Sequence, residues 1–265
     1  MTVLNDPASE TPTHPAATPP VTPGPAPAAA SAAGGKKGEG EPVEYSRPRQ
    51  TVTRRIAESK ATIPHIYLGL DVSMDAAAAL RAELRAGTGE TPVPTVTDLV
   101  IRAVALALAT HPRVNSTYRD GGLAPRSRIN IGFAVDTDDG SVTPVVPDAD
   151  RTPLGEISAA TRRLAARARS GELTPPEQSG ATFAISNLGM LGITGSLPVV
   201  NPGQSAKLAV GVISEQPVVR EGVVTVGRVM TLNLSCDHRV LHGGEAARFL
   251  TAVGDRLERP EELLG

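Results

Sequence analysis

The 265-residue sequence predicts an α+β fold, in which a mixed β-sheet carries helices packed on one side. Three observations point there. From Tyr45 onward, strand-like and helix-like patterns are interspersed without the regular alternation of a parallel βαβ array. Residues 95–111 are apolar almost all round, as a buried helix is. Two turn signals, Asp138-Asp139-Gly140 and Glu221-Gly222, join strand-like runs into hairpins.

Each element follows in chain order. Residues 49–60 have a basic helical character and stop before Pro64, because a proline disfavours helical backbone in the residue ahead of it. Residues 66–72 read as a strand and 75–85 as the helix after it. Pro112 closes the buried helix of 95–111. Residues 129–136 and 141–146 form two strands around the first hairpin turn. Thr152 then supplies an N-cap, and Pro153 a first-turn proline, for a helix running to Arg169. Residues 182–185 form a short strand that breaks at Ser186-Asn187-Leu188-Gly189. After the second hairpin turn, 229–236 is a strand, and 245–257 a helix.

Residues 1–43 differ from the rest. They hold Pro19-Pro20, Pro23, Pro25, Pro27, the run Ala28-Ala29-Ala30 and Gly34-Gly35-Lys36-Lys37-Gly38. Such a segment buries too little apolar surface to offset the entropy of ordering it, so it reads as a disordered tail or linker. Residues 44–265 are expected to form one domain. The chain is 40% apolar, enough for a sizeable core, with a formal net charge of −2. Near-neutrality and an aromatic content of 2% without tryptophan argue against nucleic-acid binding. The longest apolar run, 99–109, is interrupted by Arg102 and is shorter than the roughly 20 residues a bilayer needs. The polar and Pro/Ala-rich N-terminus has no secretory pattern. Cys236 is the sole cysteine, which excludes an intramolecular disulfide. These features point to a soluble, cytoplasmic protein.

The segment richest in chemistry is Asp237-His238-Arg239-Val240-Leu241-His242-Gly243-Gly244. A histidine where a strand gives way to a turn is held by a rigid element and projects outward, as a general base must. Cys236, two residues earlier, is a poor thiol partner, because strand geometry does not bring it into hydrogen-bond reach of His238. His238 and His242 have the four-residue spacing of a helical metal site, but the glycines break the helix and no third ligand is evident, so no metal is expected. An acyl-transfer reading of His238 needs an oxyanion donor elsewhere. Ser186, at the end of a strand beside Gly189, is the candidate. Taken alone, it reads as a serine in a turn.

In their order, several segments resemble the catalytic domain of the dihydrolipoamide acyltransferase component of 2-oxo acid dehydrogenase complexes. They are Ile63-Pro64-His65-Ile66-Tyr67, Thr95-Val96-Thr97-Asp98-Leu99, Ile131-Gly132-Phe133-Ala134-Val135-Asp136, Pro144-Val145-Val146-Pro147, Thr182-Phe183-Ala184-Ile185-Ser186-Asn187-Leu188-Gly189, Asn201-Pro202-Gly203-Gln204 and the run from Asp237 to Gly244. The resemblance implies a two-layer sandwich like that of chloramphenicol acetyltransferase. It implies that His238 deprotonates the thiol of coenzyme A or of a dihydrolipoyl group, with Ser186 stabilising the tetrahedral oxyanion. It further implies that Arg81, Thr95, Asp136, Gly211 and Ile213 line the coenzyme A side of the channel. Read from the residues alone, Arg81 is a solvated helix charge, Thr95 a helix cap and Asp136 a strand-end residue. The family forms trimers with active sites at subunit boundaries, and these trimers build larger hollow cores; lipoyl-bearing and dehydrogenase subunits are the implied partners.

Two features depart from the family pattern. His242 stands where relatives carry Asp or Asn, and a protonated histidine there would repel a neighbouring arginine. Activity is therefore expected to survive but to fall more steeply below neutral pH. The sequence also has no lipoyl-domain pattern, and Lys36-Lys37 in a glycine run is a poor lipoylation site, so the lipoyl group is expected on another protein. Two alternatives stay open: a stand-alone acyl-coenzyme A-dependent acyltransferase acting on a small alcohol or amine, and a non-catalytic core subunit.

Overall fold

The computed structural model describes residues 43–87, 93–138 and 140–264; the tail expected over 1–43 and the Asp139 turn position lie outside them, Val43 excepted. In chain order the elements are α1 (Arg47–Thr62), β1 (His65–Ser73), α2 (Asp75–Ala86), α3 (Val96–Thr110), β2 (Ser116–Arg119) and β3 (Gly122–Pro125). They continue with β4 (Ile131–Phe133), β5 (Val135–Thr137), β6 (Gly140–Val142), β7 (Val145–Val146), α4 (Leu154–Arg169) and β8 (Phe183–Asn187). The chain ends with β9 (Ala206–Arg220), β10 (Val223–Asp237) and α5 (Gly243–Glu258).

Six strands form one mixed sheet in the order β1-β10-β9-β8-β4-β7. Its parallel members are β9 with β8 and β8 with β4, and the other neighbours run antiparallel. Side chains alternate between its two faces. Ile131 and Phe133, Phe183 and Ile185, Ala206, Leu208 and Val210, and Met230, Leu232, Leu234 and Cys236 all enter the hydrophobic core with residues of α3 and α5. Helix α5 contacts β1 and β10, while α3 packs on α5 and α4. The approach of α5 is close: a Cβ at Gly254 would come 2.9 Å from Leu70 Cδ2, so only glycine fits there without displacement. The Phe183 and Phe249 rings meet at 5.7 Å between β8 and α5. The mixed sheet with a helical layer is the architecture expected from the sequence.

The hairpin at Glu221-Gly222 forms as expected, with φ of 50° and 80°, the pair of left-handed residues that a tight two-residue hairpin turn needs. Other elements differ from expectation. Residues 129–136 are not one strand, because the chain leaves the large sheet at Ala134, and β5 pairs with β6 in a separate ribbon. The return run of 141–146 is also divided, since Pro144 has no N–H for a ladder; its carbonyl accepts from Phe133 N at 3.0 Å. Thr152 does not cap α4. Its hydroxyl donates to Asp148 O at 3.0 Å, and Pro153 takes the N-cap position without a side-chain bond. Gly243 and Gly244 do not break α5 but open it, with His242 as N-cap. The β2–β3 hairpin, turning at Asp120 (φ 49°) and Gly121 (φ 81°), has the same Asp-Gly signal and was not anticipated.

Candidate active site

His238 sits in the turn between β10 and α5, and that turn is fastened on several sides. Its backbone N–H donates to Pro64 O at 2.9 Å, and Asp237 N donates to Ser205 O at 2.8 Å. Val240 N and Leu241 N both return to Asp237 O at 3.0 Å. The Asp237 carboxylate, buried, accepts from Arg239 N at 3.0 Å, from Nε at 2.9 Å and from Nη2 at 2.7 Å. The Arg239 guanidinium in turn lies 4.2 Å over the Tyr118 ring. The His238 imidazole is therefore exposed on a rigid support, and it makes no hydrogen bond of its own among the described residues.

His242 is the ring nearest to it among the aromatic contacts of the site. The two imidazoles meet edge to face, with centroids 5.4 Å apart. His242 N donates to Glu245 Oε2 at 3.1 Å, and Glu245 also pairs with Arg113 Nε at 3.1 Å. The arginine expected near His242 is thus present but already engaged by a carboxylate.

Ser186 lies on β8, half-buried, opposite Ala209 of β9. The same row continues through Asn233 of β10 to Gly69 of β1, on the sheet face turned away from the helices. Around this strand end several of the other candidate residues gather. Ala134 N donates to Ile185 O at 2.9 Å, which brings the start of β5, the strand that carries Asp136, against β8. Asn187 Nδ2 donates to Thr97 Oγ1 at 2.9 Å, which ties the N-terminus of α3 to the same place. Thr95 caps α3 reciprocally with Asp98, at 3.2 and 2.7 Å, so its role as a helix cap is realised. Arg81 Nε donates to Pro94 O at 2.8 Å, and both burial and the neighbouring Arg85 push its pKa down. Gly211 touches the segment after β8: a Cβ there would lie 2.0 Å from Thr194 O, a contact that no side chain allows. Ile213 differs from the rest, because its side chain packs against the core.

Within one chain Ser186 and His238 do not meet. They are two strand spacings and five residues apart, roughly 20 Å by ordinary sheet geometry. Cys236 is fully buried among the core residues, and burial, aided by Asp237, pushes its thiol up to about 12. It is no nucleophile.

Sequence reasoning named Ser186 and His238 and missed the material between them. The Asp237–Arg239–Tyr118 brace was not foreseen, although its first two members lie in the motif already singled out. Nor was the segment 188–205, which crosses the open sheet face from the Ser186 end to the His238 end. It is fixed at Val212 N–Ile193 O (2.8 Å), at Gln204 Nε2–Ala181 O (3.0 Å) and at the Asp237 N–Ser205 O bond. A 310 Å³ cavity lies between Thr194, Gly195, Ser196 and Leu197 of this segment and Thr231 and Asn233 of β10. The glycines and Asn201-Pro202-Gly203-Gln204 were visible in the sequence, but nothing in their pattern told where such a loop would run.

Comparison with known proteins agrees with this architecture. The family model described as 2-oxoacid dehydrogenases acyltransferase (catalytic domain) matches residues 37–265. A curated relative, the dihydrolipoyllysine-residue acetyltransferase component of the pyruvate dehydrogenase complex of Zymomonas mobilis, is 39% identical over 84% of this chain and 51% of its own length. That of Rhizobium meliloti is 38% identical over 86% of this chain and 52% of its own. The chain therefore spans about half the length of these relatives. Among solved structures, Azotobacter vinelandii dihydrolipoamide acetyltransferase superposes with a TM-score of 0.80 at 33% identity, covering 86% of this chain and 95% of that one. That structure comes from an investigation of the catalytic role of a serine, a histidine and an asparagine. The cubic core of a pyruvate dehydrogenase multienzyme complex gives the same TM-score, 0.80, at 33% identity over 86% of this chain and 95% of that one. With its motifs, its sheet order and these matches in accord, the chain belongs to the family of 2-oxoacid dehydrogenase acyltransferase catalytic domains.

Proposed function

We propose that residues 44–265 are a catalytic domain that moves an acyl group between a dihydrolipoyl thiol and coenzyme A, in active sites shared between neighbouring subunits. One observation carries this reading. Ser186, His238 and His242 are separated by 52 and 4 residues, the same spacings as the serine, histidine and asparagine studied in the Azotobacter vinelandii enzyme. The separation of Ser186 from His238 within one chain supports the shared site, since only a second copy brings the two groups together. A trimer closes such head-to-tail contacts with three equivalent sites. Assembly of trimers into a larger core fits the likeness to the cubic core structure.

The steps follow from the side chains. His238 takes the proton of the incoming thiol; an imidazole near 6.5 suits a thiol near 8.5 at neutral pH. The thiolate adds to the thioester carbonyl, and the Ser186 hydroxyl donates to the resulting oxyanion. When the intermediate collapses, the old carbon–sulfur bond breaks and the departing thiolate recovers the proton from His238. Acyl-lipoyl and coenzyme A thus become dihydrolipoyl and acyl-coenzyme A, with no other reactant. Arg81, Thr95, Asp136, Gly211 and Ile213 are proposed for the coenzyme A side, the first four being grouped near Ser186 by the contacts above. The lipoyl group is supplied by a lipoyl-bearing protein, with 2-oxo acid dehydrogenase subunits as partners. A cytoplasmic setting is part of this proposal. No helix among the described residues is long and apolar enough to cross a membrane.

Acetyl transfer from acetyl-coenzyme A to free dihydrolipoamide tests the reading. His238→Ala should lower kcat by about 10²–10⁴-fold, the range of a general base. Ser186→Ala should lower it by about 10²–10³-fold, as loss of one oxyanion donor does. Wild-type protein that transfers nothing to the thiol, or variants as fast as wild type, would refute it.

A further inference from the structure

His65 opens β1 and touches the segment that crosses the open sheet face at Val200. Its ring holds two backbone groups. Val200 N–H donates to Nε2 at 3.1 Å, and Nδ1 lies 2.8 Å from Ile63 O. A backbone N–H can only donate and a carbonyl can only accept, so Nε2 is bare and Nδ1 carries the proton. The ring is thereby fixed as one neutral tautomer. Val200 is fully buried, and its carbonyl accepts from Ser59 Oγ of α1 at 2.5 Å. Both backbone polar groups of this buried residue are therefore held by side chains, one from β1 and one from α1.

The place matters for the site. Pro64, between the two residues of the Ile63–His65 contact, accepts the hydrogen bond of His238 N. Five residues beyond Val200, Ser205 O accepts that of Asp237 N. The His65 ring thus fastens the crossing segment at Val200, and the backbone on either side of that clasp carries the hydrogen bonds that seat the His238 turn.

We propose that His65 is a positioning residue for the acyl transfer proposed above, acting only as the neutral Nδ1–H tautomer, so that its protonation sets an acid limit separate from that of His238. A second proton on Nε2 points N–H at N–H, and the Val200 bond breaks. The charged and titratable groups around the ring come from four elements. Tyr67, on β1, stacks at 5.9 Å, and Lys60 of α1 donates to the Tyr67 hydroxyl at 2.7 Å. Asp237, the register partner of His65 on β10, is engaged by Arg239. Lys207 of β9 reaches Asn201 Oδ1 at 3.4 Å.

Hydrogen exchange of the peptide containing the Val200 amide, corrected for the intrinsic pH dependence, tests this apart from any activity. Between pH 8 and pH 5, the span in which imidazole titrates, protection at Val200 should fall by about tenfold or more in the wild type. In His65→Gln the amide oxygen accepts from Val200 N–H but does not titrate, so protection should be independent of pH. The same variant should keep its transfer rate near pH 8 and extend activity further into acid. Wild-type protection that does not change with pH overturns the inference, whether or not the variant folds. Should the wild type show that loss of protection yet transfer no acyl group, the clasp stands and the proposed activity fails instead.

Discussion

The His242 ring stands 5.4 Å from that of His238. Protonating both rings would set two like charges side by side. If transfer needs both neutral, the acid limb of log kcat against pH gains the slope of an additional proton. His242→Asp should make that limb shallower by about one log unit per pH unit; equal limiting slopes would show that His242 does not take part. Cys236 gives a second expectation at this scale. With its thiol pushed up to about 12 by burial, native protein at pH 8 should resist iodoacetamide and react only once unfolded. Labelling of the native state at the rate of a free thiol would contradict the burial seen here. At both residues the sequence names the chemistry, while the environment sets its use.

Among the elements, the long β9–β10 hairpin is the one that reaches beyond its neighbours. Strand β1 pairs with β10 only as far as Val229, so Val223 to Gly227 have a strand partner on one side alone. Val219, Val223, Val224 and Val226 on this ribbon are all exposed, an apolar surface that a lone subunit leaves uncovered. Asp75, in the first turn of α2, ties the ribbon down by pairing with Arg220 and accepting from Arg228 N at 3.1 Å. Burial acts to raise the pKa of this carboxyl, but the bonds from Arg220, Arg228 and Ser73 outweigh it and hold the pKa below the usual 3.8. A depressed folded value means the tie is complete above that range and is lost as pH falls through the folded pKa. Hydrogen exchange over residues 214–228 should therefore accelerate as pH falls below the usual 3.8, and Asp75→Asn should reproduce the loosening at pH 7. An unchanged exchange pattern in that variant would assign the anchoring elsewhere. The turn of this hairpin was legible from Glu221-Gly222, because its backbone demand is local. The division of 129–136 was not, because Ala134 leaves the sheet in answer to strands distant in sequence.

For the whole molecule, the roughly 20 Å between Ser186 and His238 in one chain has a direct consequence. Subunits carrying only Ser186→Ala and subunits carrying only His238→Ala should each be nearly inactive. Co-expressed in equal amounts, they should recover about a quarter of wild-type activity, because random mixing pairs an intact serine with an intact histidine at that share of boundaries. Recovery no greater than the sum of the two separate variants would place both groups in the same subunit. The result also separates a catalytic core from a purely structural one.

By itself the sequence determined most of the element types, the hairpin turn at Glu221-Gly222, and the placing of His238 and Ser186 at strand ends, because periodicity, turn chemistry and motif order act over a few residues. Only the tertiary structure decided that the two groups stand at different ends of one sheet face. It also decided that residues 188–205 cross between them, that Thr152 bonds Asp148 instead of capping α4, and that the His65 ring accepts from Val200 N–H. Each of these depends on which backbone group, far away in sequence, is left without a partner and comes within reach.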